Sequence, residues 1–296
     1  MPPPEASPAR SIPSALAAVR NHNRTFADYV YVYPVISRRS RGLSLGINLN
    51  PDKVCNFDCI YCEVDRRTPP RARRLDLARL ERELTDLIQS VKRGELAALS
   101  RFSEVPALAA DIKDLAFSGD GEPTMIHNFA EVAGLVAGIK RREGLDQTKI
   151  VLITDAAGLD KADVKRGLEI MDANQGEIWG KLDAGTEPYY RLVNRTRIQF
   201  ERILKNLLET ARVRPIIIQS LFLRAHGARM PEAELLAYCE RLKEIARGGG
   251  QIKEVHAYTI ARPTPEPFAT RLEAAELEEV ASVIRRETGL AVSTFA

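Results

Sequence analysis

Three cysteines lie close together in the sequence, because Cys55, Cys59 and Cys62 have the spacing C-x3-C-x2-C. A compact loop of this length can present three thiolates to one inorganic cluster. A structural zinc site or a ferredoxin cluster normally takes four protein ligands, so three cysteines on a cubane would leave one iron open to a small molecule. A zinc ion with Asp58, Glu63 or a histidine as its fourth ligand is the alternative.

A second candidate site lies in residues 118–124, which read SGDGEPT after a short apolar run. Gly121 has no side chain and would let the backbone approach a ligand closely. The Glu122 carboxylate would accept charge-assisted hydrogen bonds from an ammonium group. Taken alone, this stretch would be an ordinary glycine-rich turn, so its meaning depends on what the fold brings beside it.

Further polar residues end or interrupt predicted strands. Lys181 and Asp183 are two positions apart and therefore point to the same face of a strand, where they could bind a ligand or form a solvent-facing ion pair. Thr154 ends another strand, and Gln219 interrupts an apolar one, where its amide needs a partner. Cys239 lies among apolar residues of a predicted helix, and we expect it to be a core thiol.

The elements that must position these residues alternate between strand and helix. Apolar side chains alternate with small or polar ones over residues 43–49, a period of two that predicts a strand with one apolar face. The predicted strands are residues 43–49, 114–119, 149–155, 177–183, 214–223 and 254–260. Helical patterns follow them near residues 75–96, 127–141, 160–171, 187–211, 231–247 and 273–288.

Alternating β and α segments predict an α/β fold, a parallel sheet with helices packed outside it. A complete eight-unit barrel takes about 250 residues, so six units favour an incomplete (βα)6 barrel, with a doubly wound sheet as the alternative. Sites in such folds form at the C-terminal ends of the strands, where the cysteine loop and the SGDGEPT stretch both fall. Upstream, residues 28–37 are β-prone but contain Pro34, which favours an edge strand.

The composition is that of an ordinary globular protein. The chain has 296 residues, of which 45% are hydrophobic and 28% charged, and this excludes a collagenous or mostly disordered chain. No apolar run approaches the roughly 18–20 residues that cross a bilayer, and the N-terminus lacks a secretory pattern, so we expect a cytoplasmic protein without membrane contact. Residues 37–74 carry nine basic and four acidic side chains, a net charge of +5 that favours an anionic partner.

These motifs together resemble those of the radical S-adenosylmethionine (SAM) superfamily. The resemblance rests on C-x3-C-x-aromatic-C, with Tyr61 as the aromatic residue, and on the glycine-and-glutamate stretch after the second strand. It implies that the three cysteines hold a [4Fe–4S] cluster, that SAM chelates the open iron, and that reductive cleavage of SAM gives a 5′-deoxyadenosyl radical that abstracts hydrogen from a substrate. The SAM-binding residues that it implies are Tyr61, Gly121, Glu122, Pro123, Thr154, Lys181, Asp183 and Gln219.

Within the superfamily, the chain resembles the group related to wyosine synthases, which modify guanosine in tRNA. It departs from that group because no cysteine precedes Cys55, whereas wyosine synthases carry a second set of three cysteines upstream. The resemblance implies an N-terminal extension at residues 1–40, a partial barrel at 41–265 and a helical extension at 266–296 that packs on the barrel. It also implies an external electron donor of the flavodoxin or ferredoxin class.

Three functions are compatible with these features. The first is a single-cluster radical SAM enzyme that acts on a nucleic acid or nucleotide, which the basic segment at residues 37–74 favours. The second is the same chemistry on a protein, such as the activation of a glycyl-radical partner, or on a small molecule. The third is a non-enzymatic iron–sulfur or zinc binding module, which would bind metal without affinity for SAM.

Overall fold

The computed structural model describes residues 24–262 and 264–296, so residues 1–23 of the predicted N-terminal extension lie outside the described residues. The strands are β1 (Val32–Ser37), β2 (Gly42–Ile47), β3 (Ile112–Phe117), β4 (Lys149–Thr154), β5 (Gly176–Lys181), β6 (Ile216–Leu221), β7 (Leu223–Ala225), β8 (Ala228–Arg229), β9 (Ile252–Tyr258), β10 (Ala269–Arg271) and β11 (Val292–Phe295). The helices are α1 (Leu77–Lys92), α2 (Glu95–Ala98), α3 (Pro106–Ala109), α4 (Phe129–Arg142), α5 (Ala162–Asp172), α6 (Glu187–Asn194), α7 (Phe200–Val213), α8 (Glu232–Arg247) and α9 (Ala274–Thr288).

The main sheet has the strand order β1-β2-β3-β4-β5-β6-β9-β11. Every neighbouring pair from β2 to β11 is parallel, whereas β1 pairs antiparallel with β2 at one edge. Helices surround this curled sheet, so the predicted α/β incomplete barrel with parallel strands is confirmed. The edge strand expected within residues 28–37 is β1.

Side chains of the parallel strands alternate between the helix layer and the barrel interior. Leu43, Leu45 and Ile47 of β2 are fully buried in the main hydrophobic core, as their period of two predicts. Ser44 of the same strand lines the interior cavity instead. A smaller apolar cluster lies in the barrel itself and consists of Ala116, Val151, Trp179 and Ile217.

The helix predicted over residues 187–211 is wrong as a single element. Helix α6 ends at Asn194, and Arg195 follows in the left-handed region with φ of 46°. The chain then passes through Thr196, whose hydroxyl accepts a hydrogen bond from the Ile198 amide, before α7 begins at Phe200. Asn and Thr favour helix ends and turns because their side chains compete for backbone hydrogen bonds, and this explains the break.

The residues after position 265 join structures that begin earlier in the chain. Strand β10 pairs with β7, which in turn pairs with β8, to form a small antiparallel sheet. Helix α9 packs beside α8, and β11 then adds to β9 as a further parallel strand. The predicted boundary at residue 265 therefore stays a prediction, while the segment beyond it supplies two strands as well as a helix.

Among the described residues, no helix is long and apolar enough to cross a lipid bilayer.

A buried carboxylate fixes the chain where it enters β1. Glu83 of α1 is 6% exposed and accepts hydrogen bonds from the backbone amides of Val30 and Tyr31 and from Arg79 Nε, the last at 2.6 Å. This contact ties the edge of the sheet to the first long helix.

We predict that Glu83→Ala lowers the free energy of unfolding by about 2–4 kcal/mol, because it leaves two backbone N–H groups without their acceptor. The control is Glu81→Ala on the same helix, which removes a carboxylate paired only with surface Arg142 and should cost less than about 1 kcal/mol. Urea unfolding of both variants measures the difference. Equal losses would show that the Glu83 contacts do not anchor β1.

Candidate functional site

The candidate site is a cavity of about 300 Å³ that opens among the loops after β2, β3 and β4. Most of the residues predicted from the sequence line it: Cys55, Cys59, Tyr61, Cys62, Gly121, Glu122, Thr154, Lys181 and Gln219. Pro123 begins a short 3-10 turn and is buried, and Asp183 is 3% exposed; neither is among the lining residues. The fold thus brings together two motifs that are about 60 positions apart in the chain.

The cysteine loop has no regular secondary structure and is held by the C-terminal end of α6. The backbone amide of Ile60 donates to the Val193 carbonyl at 2.9 Å, and that of Asp58 donates to the Asn194 carbonyl at 3.1 Å. The end of a helix leaves carbonyl groups without intrahelical partners, and here the loop supplies the donors. The break in the predicted long helix is therefore part of the site.

The Asn194 side chain connects a cysteine to the strand ends. Its Nδ2 lies 3.4 Å from Cys59 Sγ, 3.3 Å from the Tyr61 hydroxyl and 3.0 Å from Asp183 Oδ2. Asp183 also accepts from the Tyr61 hydroxyl and, through Oδ1, from the Leu221 amide at 2.9 Å. Asp183 therefore lies behind the residues that line the cavity and positions Tyr61 through this hydrogen bond. The predicted role of Asp183 in binding SAM stays a prediction.

The three thiols are free and half-buried. Burial, followed by the negative charge of Asp155, raises the pKa of Cys55 to about 12, and burial raises the pKa of Cys59. An Arg66 guanidinium nitrogen lies 3.8 Å from Cys62 Sγ. Over residues 24–262 and 264–296, no three His, Cys, Asp or Glu side chains converge closely enough to hold a single metal ion.

Two buried acids, Glu122 and Asp155, line the same cavity as the three thiols. Glu122 Oε1 accepts from the hydroxyls of Thr124 and Thr154, each at 2.6 Å, whereas Oε2 accepts only from the Asp155 amide at 2.8 Å. Asp155 Oδ2 is buried with no partner within the described chain. Burial and the charge of Glu122 raise the pKa of Asp155 well above its usual range, so this pair favours a cationic neighbour.

Lys181 is the cation that points into the same cavity from β5. Its Nζ lies 4.5 Å from the Tyr61 ring centroid and 3.9 Å from Asp183 Oδ2, with the Lys181 side chain 18% exposed. Burial alone would lower the pKa of Lys181, but Tyr258 and Asp183 more than offset this and raise it well above its usual value. Asp183 is buried and Lys181 is half-buried in the cavity wall, so the choice between a ligand-binding pair and a solvent-facing pair stays a prediction.

Several side chains outside the sequence prediction also belong to the site. Asn194 was hidden inside a helix predicted as continuous, although its low helix propensity was a signal of a break. Arg39 lines the cavity, whereas in the sequence it counts only as one charge of the basic segment at residues 37–74. Gln219, by contrast, is a predicted residue; it is 1% exposed, and its Nε2 has no partner in the described chain.

Part of the basic segment is engaged within the protein itself. Arg71 donates to the Tyr29 carbonyl at 2.7 Å, and Lys53 donates to the Thr68 carbonyl at 2.8 Å. Arg67, Arg73 and Arg74 are exposed. Only some of the positive charges counted in the sequence are therefore displayed to a partner.

No protein-family model matches the chain. Among curated proteins, it is 25% identical over 182 residues to the GTPase Obg of Brachyspira hyodysenteriae, a match that covers 61% of this chain and 23% of that protein. It is 28% identical over 177 residues to the UPF0026 protein MJ1312 of Methanocaldococcus jannaschii, which covers 59% of this chain and 47% of that protein. The matched region thus spans less than half the length of either relative.

Solved structures share the fold at low sequence identity. SuiB of Streptococcus suis bound to S-adenosylmethionine has a TM-score of 0.55 over 87% of this chain and 52% of that chain, at 14% identity. TYW1 with a lysine-pyruvate adduct bound has a TM-score of 0.52 over 84% of this chain and 74% of that chain, also at 14% identity. At this identity, the likeness shows that this chain has the same partial-barrel fold.

Gly121 is where the two motif loops touch. A Cβ atom on Gly121 would lie 1.9 Å from the Val54 carbonyl oxygen of the cysteine loop, and the next amide, of Glu122, donates to that oxygen at 3.3 Å. The glycine thus permits close approach of one loop backbone to the other. This contact positions the thiols relative to the acid pair.

We predict that Gly121→Ala destabilises the protein by about 1–3 kcal/mol, because the Val54 carbonyl must move to admit a methyl group. The matched control is Gly134→Ala in α4, where an added Cβ meets nothing within 4 Å. That change should be neutral or stabilising by up to about 1 kcal/mol, since alanine favours helix. Urea unfolding compares the two, and a neutral Gly121→Ala would contradict the tight contact.

Proposed function

We propose that this chain is a radical SAM enzyme in which Cys55, Cys59 and Cys62 hold a [4Fe–4S] cluster and SAM occupies the adjoining cavity. The observation that supports the proposal most strongly is that three free thiols and the buried Glu122–Asp155 pair line one cavity. Thiols and an unneutralised acid pair have no common structural purpose in a barrel interior. They match the two halves of one ligand system, a cluster and an amino acid that chelates it.

The thiols fit a cubane by number, type and surroundings. A cubane is larger than one ion, so its ligands need not converge within the bond length of a single metal. When bound, the cluster would supply the electron for reductive cleavage of SAM, after receiving it from an external donor of the flavodoxin or ferredoxin class. Hydrogen bonds from Asn194 to Cys59 and from Arg66 to Cys62 would stabilise negative charge on these sulfurs.

The cavity wall fits the polar groups of SAM. Glu122 Oε2 has capacity for a further donor, and Asp155 Oδ2 has no partner among the described residues, so these two oxygens would accept from the methionine ammonium. Lys181 would meet the methionine carboxylate. The Thr154 hydroxyl donates to Glu122 and would act by holding that carboxylate in place.

The remaining predicted residues have roles that follow from their positions. Tyr61 would lie near the adenine, held by its hydrogen bond to Asp183. The unpartnered amide of Gln219 would donate to a polar atom of the bound nucleoside. Pro123, which starts the turn after Glu122, would fix the direction of that loop.

The proposal is tested by anaerobic cluster reconstitution, incubation with SAM and a strong reductant, and measurement of 5′-deoxyadenosine by mass spectrometry. We expect Cys59→Ala to lose both the cluster and the product. The matched control is Cys239→Ala, because Cys239 is 1% exposed in the hydrophobic core and remote in sequence from the loop. Cys239→Ala should keep both the iron content and the product.

A second variant separates SAM binding from cluster binding. Glu122→Gln should keep the iron content of the wild type but bind SAM roughly tenfold to a hundredfold more weakly, since it replaces a charge-assisted hydrogen bond with a neutral one. Equilibrium dialysis measures the affinity. A wild-type protein with a full iron complement, no SAM binding and no product would instead support the non-enzymatic binding module.

A nucleic acid or nucleotide substrate is the extension of this proposal that the exposed arginines support. Arg67, Arg73 and Arg74 are exposed and follow Arg66, which lines the cavity. Cationic side chains at the rim would attract a phosphate backbone. A protein or small-molecule substrate is the competing extension, and it would show hydrogen abstraction products without dependence on RNA.

A further inference from the structure

One arginine occupies the interior of the barrel at the far end of the cavity from the cysteine loop. Arg39 belongs to the turn between β1 and β2, and its guanidinium carbon lies 5.3 Å from the Trp179 ring centroid and 5.3 Å from the Tyr258 ring centroid. Tyr258 is the last residue of β9, so the Arg39 side chain extends from the turn toward the C-terminal ends of the strands. Both aromatic rings line the cavity with it.

This guanidinium has no hydrogen-bond or ion-pair partner within residues 24–262 and 264–296. None of the acids that line the cavity contacts this guanidinium within the described residues, although the charges of Glu63 and Asp114 act on it from a distance. Asp114 accepts from the Ser44 hydroxyl, and Glu63 pairs with Arg262. A cation in a confined interior normally needs an anion beside it. The two aromatic faces compensate only part of the lost hydration and leave the N–H donors at the guanidinium edge free.

We propose that Arg39 binds an oxyanion of the substrate, a carboxylate or a phosphate, at the floor of this cavity. A planar guanidinium presents paired donors that match these groups in a bidentate contact. The Ser37 and Ser40 hydroxyls line the same floor, where Ser37 donates to Ser40, so the donors offered to the anion are those of Arg39. A molecule held there by its charged end would extend toward the cysteine loop with its other end.

The inference deepens the proposed function and rests on it only for the statement that the bound anion is a substrate. The binding site itself stands on the position of Arg39 and on its free donors. A purely structural role, in which Arg39 only packs on Trp179, would predict no affinity for anions. The two readings are therefore distinguished by binding measurements on the metal-free protein without SAM.

Trp179 provides the measurement because it is the single tryptophan of the chain. Its fluorescence is titrated with inorganic phosphate, with acetate, and with acetamide as the uncharged analogue, each against sodium chloride at equal ionic strength. We expect phosphate or acetate, but not acetamide, to give a saturable change in the wild type. Phosphate alone would identify a phosphate-bearing substrate, and acetate alone a carboxylate.

Variants assign that change to Arg39. Arg39→Gln should lower the affinity for the anion by at least about tenfold. The affinity of Arg39→Lys should fall between that of Arg39→Gln and that of the wild type, because lysine keeps the charge but lacks the planar fork. The matched control is Arg41→Gln in the same turn. Arg41 lines only the neighbouring cavity, whose wall also includes Arg39 and Trp179, and this variant should bind the anion as the wild type does. Thermal unfolding by circular dichroism verifies that each variant is folded.

Two results would overturn the proposal. One is a wild-type response no larger than that to sodium chloride, and the other is an equal loss of affinity in Arg41→Gln and Arg39→Gln. Failure of the proposed function is recognised separately, because it would abolish SAM binding and 5′-deoxyadenosine formation without affecting the anion titration. If the protein binds the anion but shows no SAM chemistry, the proposed anion site at Arg39 would stand and the proposed enzymatic function would be wrong.

Discussion

The whole site depends on which side chains the parallel strands turn toward the barrel interior. Large aliphatic residues such as Leu45 and Ile47 face the helices, whereas Ser44, Gly46 and Asp114 occupy the inward positions of β2 and β3. A Cβ on Gly46 would lie 2.2 Å from the Tyr33 ring, so the absence of a side chain there makes room for that ring. Small inward residues on this side of the sheet leave the open cavity that the opposite side lines with aromatic rings.

An irregular loop can hold three thiols in fixed places only if other elements fix its backbone. Here the end of α6 supplies acceptors to the loop amides, and the Gly121 loop approaches the Val54 carbonyl from the other side. The Asn194 side-chain amide then contacts both Cys59 and Asp183, and Asp183 also accepts a hydrogen bond from the Leu221 amide at the end of β6. The thiols are thus oriented by contacts from at least three separate parts of the chain.

Charge in the cavity is distributed rather than neutralised locally. The Glu122–Asp155 pair forms an acidic part of the wall, while Lys181 on the neighbouring strand β5 and Arg39 in the turn between β1 and β2 provide positive charge. Such an arrangement complements a ligand that carries both an ammonium and an acidic group, and a second ligand with an anionic end. In an interior of low dielectric constant, such charges discriminate strongly between ligands of correct and incorrect sign.

The sequence by itself determined the class of fold, because periods of 2 and 3.6 reflect local burial and need no long-range information. The sequence also identified the three cysteines and the Gly121–Glu122 stretch as candidate site residues, because the members of each motif lie close together in one short segment. Only the tertiary structure decided that the end of α6 holds the cysteine loop, that Asp183 lies behind the residues lining the cavity and that Arg39 enters the barrel. Those outcomes arise from contacts between distant segments, and no local pattern of residue types encodes which segment a side chain will meet.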